Sequence, residues 1–196
     1  MIKVLYIEDD PAHVELTNRS LESSGTKFDL QAASTINDAF VLLRDNGFDV
    51  ILSDYRLPDG SGMDVISRAL EQKVSAAIVL ITNQEDINIA ISALKAGAVD
   101  YVVKESDYLD RLPIVLNNAF KHSQLEKQKK ALHEAENKYR NIFEHAVEGI
   151  FQSSLEGRYM SVNPAMARIY GYTSPDDMIS NVASIDKQIY TRTESR

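Results

Sequence analysis

The 196-residue chain contains no cysteine. Disulfides, thiolate metal sites and cysteine nucleophiles are therefore excluded, and the composition accords with a reducing compartment. Long apolar segments are also missing. The longest apolar run is Ala76–Ile81, far short of the roughly 20 residues that a membrane-spanning helix requires. The N-terminus, Met1-Ile2-Lys3-Val4-Leu5-Tyr6-Ile7-Glu8-Asp9-Asp10, has no extended apolar core of the kind a signal peptide carries. A soluble, cytoplasmic chain without membrane contact is expected. Positive charge is scarce in the first part: residues 1–120 hold 10 Lys/Arg against 19 Asp/Glu, while 121–196 hold 11 against 10. Gripping a phosphate backbone takes clustered cations, so direct nucleic-acid binding is not expected.

What is present is ordinary for a globular protein: 44% hydrophobic and 26% charged residues. The length suffices for one domain plus a smaller second piece. Apolar runs rich in β-branched residues occur at Ile2–Ile7, Phe28–Ala33, Val50–Leu52, Ala76–Ile81 and Val99–Val103. Helical patterns alternate with them. Pro11 opens one with Val14, Leu16 and Leu21, and Ser34/Thr35 precede Ile36–Arg44 with Ala39, Phe40 and Leu43. Ser61 precedes Met63–Leu70, Asp86 precedes Ile87–Leu94, and Gly25, Gly47 and Gly97 stand where helices should stop. Five strand–helix alternations predict an α/β fold, a doubly wound (βα)5 five-stranded parallel sheet with helices on both faces. Nearly continuous apolar runs suit strands buried on both sides.

In such a sheet the functional crevice lies at the carboxyl ends of the strands. Glu8-Asp9-Asp10 follow the first run, Asp54 the third, Thr82 the fourth and Lys104 the fifth. Acids brought together this way need a compensating cation, and oxygen-only ligands suit a hard divalent ion such as Mg²⁺. The pattern points to phosphate chemistry on a carboxylate.

These residues, with the loop Asp54-Tyr55-Arg56-Leu57-Pro58-Asp59-Gly60-Ser61-Gly62 and the string Tyr101-Val102-Val103-Lys104, make residues 1–120 resemble the flavodoxin-like receiver domain of two-component response regulators. The resemblance implies Asp54 as phosphoacceptor, with Asp9 on Mg²⁺ directly, Glu8 through water, and the Arg56 backbone carbonyl completing the protein ligands. Asp10 falls outside the motif and reads as a helix-start residue. Lys104 and Thr82 would contact the phosphoryl oxygens, and Thr82 with Tyr101 would form the switch. A histidine kinase is the implied donor. The implied domain is a switch rather than an enzyme, at most self-phosphorylating from small donors and dephosphorylating itself.

Three features depart from the family. Glu105 replaces the usual cis-proline, so a trans bond after Lys104 is expected. Asn83 follows Thr82 in place of a small residue, and Arg56 stands two residues after the acceptor, where it can contact phosphate or shield it from water. The rival readings are a receiver-like interaction or dimerisation module that works without phosphorylation, and an aspartyl-phosphate hydrolase. The hydrolase would need an acid/base beside the nucleophile, where Tyr55 and Arg56 stand instead.

From Leu112 to Phe143 there is no Gly, and Pro113 fits a first helical turn. An extended helix over 112–143 is predicted. Leu125, Leu132 and Tyr139 recur every seven residues, followed at three positions by Gln128, Ala135 and Ile142. This pattern leaves open a solvated connector or the seam of a parallel homodimer, to which the receiver would also contribute. Residues 144–196 read as Gly149–Ser154 and Arg158–Val162 strands, a helix opened by Asn163-Pro164 and another at Ser174-Pro175. With Tyr139-Arg140-Asn141-Ile142-Phe143 and Tyr170-Gly171-Tyr172 they resemble the first half of a PAS sensor domain. This predicts a truncated α+β PAS fragment that lacks its own core, with no cofactor predictable. The string His133-Glu134-Ala135-Glu136-Asn137 has Asn where a zinc-protease helix needs its second His. His13, His122 and His145 are scattered and read as surface or helix-face residues.

Overall fold

A computed structural model describes residues 1–45, 47–82, 87–185 and 189. Alternate residues of the first strand, β1 (Ile2–Ile7), enter two different cores: Val4 and Tyr6 one, Leu5 and Ile7 the other. That is the consequence of a period-two backbone buried on both faces. There follow α1 (Pro11–Ser23), β2 (Phe28–Ala33), α2 (Ile36–Asp45), β3 (Val50–Asp54), a two-residue ladder of β4 (Arg56–Leu57) with β5 (Gly60–Ser61), α3 (Gly62–Glu71), β6 (Ala77–Thr82), α4 (Ile87–Ala96), β7 (Asp100–Val103) and α5 (Tyr108–His145). The main sheet is parallel throughout, in the order β2-β1-β3-β6-β7.

One core joins Leu5, Ile7, Ile51 and Leu80 to Phe40 of α2, Val65 and Ile66 of α3 and Ala93 of α4. The opposite core joins Tyr6, Leu52, Val79 and Ile81 to Leu21 of α1 and Leu112 and Leu116 of α5. Helices thus cover both faces, as the alternation predicts. Registers bring Ile7 beside Ser53, Asp54 beside Ile81 and Thr82 beside Val103. The carboxyl ends of four strands share one rim, and the chain order reverses between β1 and β3, where such sheets open a crevice.

The helix starts follow local capping chemistry. The Asp10 side chain accepts from the Ala12 N–H at 2.8 Å, with Pro11 in the first turn. Ser61 and Asp64 form a reciprocal capping box at α3. At α2, Thr35 accepts from the Asp38 N–H at 3.1 Å. The first two N–H groups of α2, those of Ile36 and Asn37, donate instead to Asp59 at 2.9 and 3.1 Å. The loop after β3 therefore ties down a helix that precedes it in the chain.

The predicted bounds of the long helix need correction. It starts at Tyr108, four residues before the expected Leu112, and Pro113 lies inside it rather than in its first turn. Proline has no N–H for the carbonyl four residues earlier. That carbonyl belongs to Leu109, and the Ser20 hydroxyl of α1 donates to it at 2.5 Å. Farther along, the buried Ser123 hydroxyl donates to the Ser75 carbonyl at 3.1 Å, while residues 128–142 are all exposed.

The chain divides within α5 into two compact units, 1–129 and 130–196. In the second, β8 (Phe151–Ser153) and β9 (Tyr159–Val162) form an antiparallel hairpin, followed by α6 (Pro164–Ile169) and α7 (Pro175–Asn181). The buried Asn163 caps α6 through the Met166 N–H at 2.8 Å. It also accepts from Ile150 N and donates to the Glu148 carbonyl, each at 2.9 Å. Contrary to expectation, this unit has a core of its own: Tyr159, Val162, Met166, Met178, Val182 and Ile185. The capped helices α6 and α7 turn Met166 and Met178 onto β9, an arrangement that short strands alone do not foretell.

Candidate functional site

Three of the predicted residues meet directly. The Lys104 ammonium, just past β7, donates to Glu8 Oε2 at 3.2 Å and makes a short contact with Asp54 Oδ2. All three side chains are largely enclosed, with exposures of 13% for Lys104, 15% for Asp54 and 2% for Glu8. Removal from water works against the ammonium, yet the Asp54 hydrogen bond and the charges of Asp54 and Glu8 outweigh it and hold Lys104 above the usual lysine range. The position of Lys104 comes from the sheet, its own N–H donating to the Thr82 carbonyl at 2.8 Å.

Asp54 is oriented from several sides. Its Oδ1 accepts from the Arg56 N–H at 3.3 Å, and its carbonyl from the Ser53 hydroxyl at 2.8 Å. The Gly62 N–H donates to the Tyr55 carbonyl at 2.8 Å, drawing the start of α3 against the strand end. A Cβ on Gly62 would sit 2.5 Å from Leu80 Cδ2 and 3.2 Å from the Asp54 carbonyl, so any larger residue forces Leu80 aside and presses on the strand end. Thr82 is buried at the end of β6. Tyr101 is half-buried against the core beneath α2, α3 and α4. Asn83, singled out in the sequence, lies outside the described residues. The Lys104–Glu105 peptide is trans, as expected, and no cis bond occurs among the described residues.

The three consecutive acids have separate fates. Glu8 is buried, Asp9 is exposed without a hydrogen bond or ion pair among the described residues, and Asp10 caps α1. Glu8 Oε2 also accepts from the Tyr6 hydroxyl at 2.9 Å, and Oε1 from the Asp10 N–H at 3.3 Å. Enclosure, and then the Glu8 charge, push the Tyr6 phenol far above its ordinary range, so it remains a donor. His13 brings Nδ1 to 3.5 Å from Glu8 and 3.7 Å from Asp10. Tyr108 stands near the same charges, and its pKa is raised first by burial. Residue typing missed Tyr6, His13 and Gly62. The strand period offered a signal for one of them, since Tyr6 and Glu8 are two apart and share a face.

Among the described residues, no three acidic or histidine side chains converge closely enough to hold a metal ion. The donor chemistry of the rim still fits a hard cation: carboxylates at Asp9 and Asp54 and backbone carbonyls, with no soft ligand. No described helix is long and apolar enough to cross a membrane.

The family profile described as the response regulator receiver domain matches residues 4–114, and a PAS domain profile matches residues 137–195. The Methanogenesis regulatory protein FilR1 of Methanothrix harundinacea is 35% identical over 120 residues, which cover 59% of this chain and 27% of FilR1. The response regulator protein PilR of Pseudomonas aeruginosa is 36% identical over 105 residues, covering 54% of this chain and 23% of PilR. The chain thus spans about a quarter of the length of these relatives. Among solved structures, a receiver domain protein from Clostridium thermocellum superposes with a TM-score of 0.57 at 28% identity, covering 64% of this chain and 98% of that one. Full-length FixJ from B. japonicum gives 0.60 at 26% identity, covering 68% and 64%. With sheet order, acidic rim and family match in agreement, the chain belongs to the response regulator receiver family, its receiver domain followed by a long helix and a PAS domain match.

Proposed function

We propose that Asp54 accepts a phosphoryl group from a histidine kinase in a Mg²⁺-dependent reaction, and that α5 carries the resulting switch toward the PAS region. The observation that carries this reading is the Lys104 ammonium shared between Asp54 and Glu8 at the carboxyl rim. In the proposed reaction an Asp54 carboxylate oxygen attacks phosphorus, the nitrogen–phosphorus bond of the donor breaks, and its electron pair returns to the imidazole. Lys104 shifts from the carboxylates to a phosphoryl oxygen, exchanging one anionic partner for another. The Thr82 hydroxyl donates to a second oxygen, and Tyr101 follows it inward. Asp9, Asp54 and the Arg56 carbonyl would hold Mg²⁺, with Glu8 acting through water. When bound, the ion neutralises repulsion between two anionic reactants and the charge developing in transfer.

Such a domain is a signalling element rather than a classical enzyme. In α5, Leu125, Leu132, Tyr139 and Ile142 are exposed at heptad spacing, which supports pairing with a second copy. The proposed setting is cytoplasmic. The test is intact mass after incubation with acetyl phosphate and Mg²⁺. A phosphate-sized gain in the wild type and none in Asp54→Asn is expected. If neither a kinase nor beryllofluoride engages the wild type either, the phosphorylation-independent interaction module replaces this reading.

A further inference from the structure

Glu8 is the most constrained carboxylate on the rim, and its partners differ in kind. A carboxylate offers about four acceptor directions. Lys104 at 3.2 Å and the Tyr6 hydroxyl at 2.9 Å meet Oε2, while the Asp10 N–H at 3.3 Å and His13 Nδ1 at 3.5 Å face Oε1. Lys104 is divided between Glu8 and Asp54, and phosphoryl transfer draws it away. His13 lies beyond ordinary hydrogen-bond length and rides on a half-exposed side chain. Tyr6 alone is neutral, fully enclosed and rigidly placed. Its ring is packed in the core between β1 and the helices α1 and α5, with the buried Thr17 hydroxyl of α1 beside its own.

We propose that Tyr6 is a positioning residue for the cation site: its hydroxyl fixes the Glu8 carboxylate at the rim so that Glu8 keeps its orientation toward metal-bound water when Lys104 leaves for the phosphoryl group. The inference rests on the phosphoacceptor reading above. It also explains the placement of a phenol on an otherwise aliphatic face of β1. Ile2, Val4 and Tyr6 share one face of β1 with Glu8, and a third aliphatic there in place of Tyr6 would leave Oε2 without its neutral donor. Groups that orient metal-binding carboxylates from behind matter nearly as much as the ligands themselves, and removing one costs about 10–100-fold in metal affinity, the low end being expected for a carboxylate that acts through water.

The experiment is a Mg²⁺ titration of the full chain, read from backbone amide shifts at residues 8–10, in wild type, Tyr6→Phe, Glu8→Gln and the double variant. Phenylalanine preserves the ring volume, and near-ultraviolet circular dichroism confirms that the core is retained. Expected are a dissociation constant about tenfold weaker in Tyr6→Phe, and no further loss when Tyr6→Phe is added to Glu8→Gln. Phosphorylation by acetyl phosphate should slow at limiting Mg²⁺ and recover at saturating Mg²⁺. Equal Mg²⁺ affinity in wild type and Tyr6→Phe overturns the inference while leaving the phosphoacceptor reading intact. An undiminished Tyr6→Phe loss in the Glu8→Gln background also overturns it, because the hydroxyl would then not act through Glu8. Absence of Mg²⁺ binding in the wild type overturns the reading of the site, and the inference with it.

Discussion

Replacing Lys104 with methionine isolates the electrostatic role of the rim. The methionine side chain fills similar space along its apolar stem but leaves Glu8 and Asp54 facing each other without a cation. Taking one partner from a buried ion pair typically costs 3–5 kcal/mol, because an uncompensated charge stays behind. The expected loss lies at the low end of that range. Glu8 keeps its Tyr6 and Asp10 donors, and Asp54 keeps the Arg56 N–H and 15% exposure. A loss of about 3 kcal/mol in urea denaturation is expected, equivalent to roughly 10 °C in melting temperature for a domain of this size. The charge origin is testable by adding Glu8→Gln to Lys104→Met. Neutralising one orphaned acid should restore much of the stability, whereas lost packing would be unaffected. The pH profile follows from the direction of the Lys104 shift. A cation held above its ordinary value of 10.5 contributes fully below that pH and loses its contribution as pH rises through the folded-state value. The difference between wild type and Lys104→Met should therefore stay constant from neutral pH up to 10.5 and shrink from there as pH rises through the folded-state value. A stability loss that Glu8→Gln fails to relieve would refute the reasoning.

Two further substitutions probe how the rim is held. Ser20→Ala leaves the Leu109 carbonyl without the hydroxyl that stands in for the missing Pro113 N–H. It should cost about 1–2 kcal/mol, and hydrogen exchange should speed up in the first turns of α5 but not beyond Ser123. Gly62→Ala drives a methyl to within 2.5 Å of Leu80 Cδ2. It should cost about 1–3 kcal/mol through overpacking and slow phosphorylation of Asp54 measured by intact mass, since the same methyl presses on the Asp54 carbonyl.

The parts of this architecture that were legible in the sequence are those set by periodicity. Nearly continuous apolar runs alternating with helical patterns specify strands buried on both faces, and topology then delivers Glu8, Asp54, Thr82 and Lys104 to one rim. What was not legible depends on long-range tertiary satisfaction of backbone groups. Nothing local links Asp59 to the N–H groups of Ile36 and Asn37, 23 and 22 residues away, or Ser20 to a carbonyl 89 residues on. Pro113 misplaced the start of α5 because a proline in the second turn is costly unless another donor takes over the carbonyl, and that donor belongs to α1. The core of the second unit escaped notice for a related reason. Two of its members, Met166 and Met178, come from short helices whose caps, not their apolar content, decide where they point.

The run Glu8-Asp9-Asp10 shows how a composition-level signal divides into separate physical roles. As a string, the three acids carry the same charge. The pleat of β1 sends Glu8 to the same side as Tyr6 and Val4, where burial would be prohibitive for a lone carboxylate and is tolerable only with Tyr6, Lys104 and the Asp10 N–H around it. Asp9, one residue on, remains exposed, the one acid of the three with no hydrogen bond or ion pair among the described residues. Asp10 stands directly before Pro11, where its shorter side chain suits the open N–H of Ala12. A glutamate where the side chain must reach inward to a phenol and an ammonium, and an aspartate where it must fold back on the next turn, follow from reach alone. The proposal that Tyr6 acts through Glu8 is a consequence of that division.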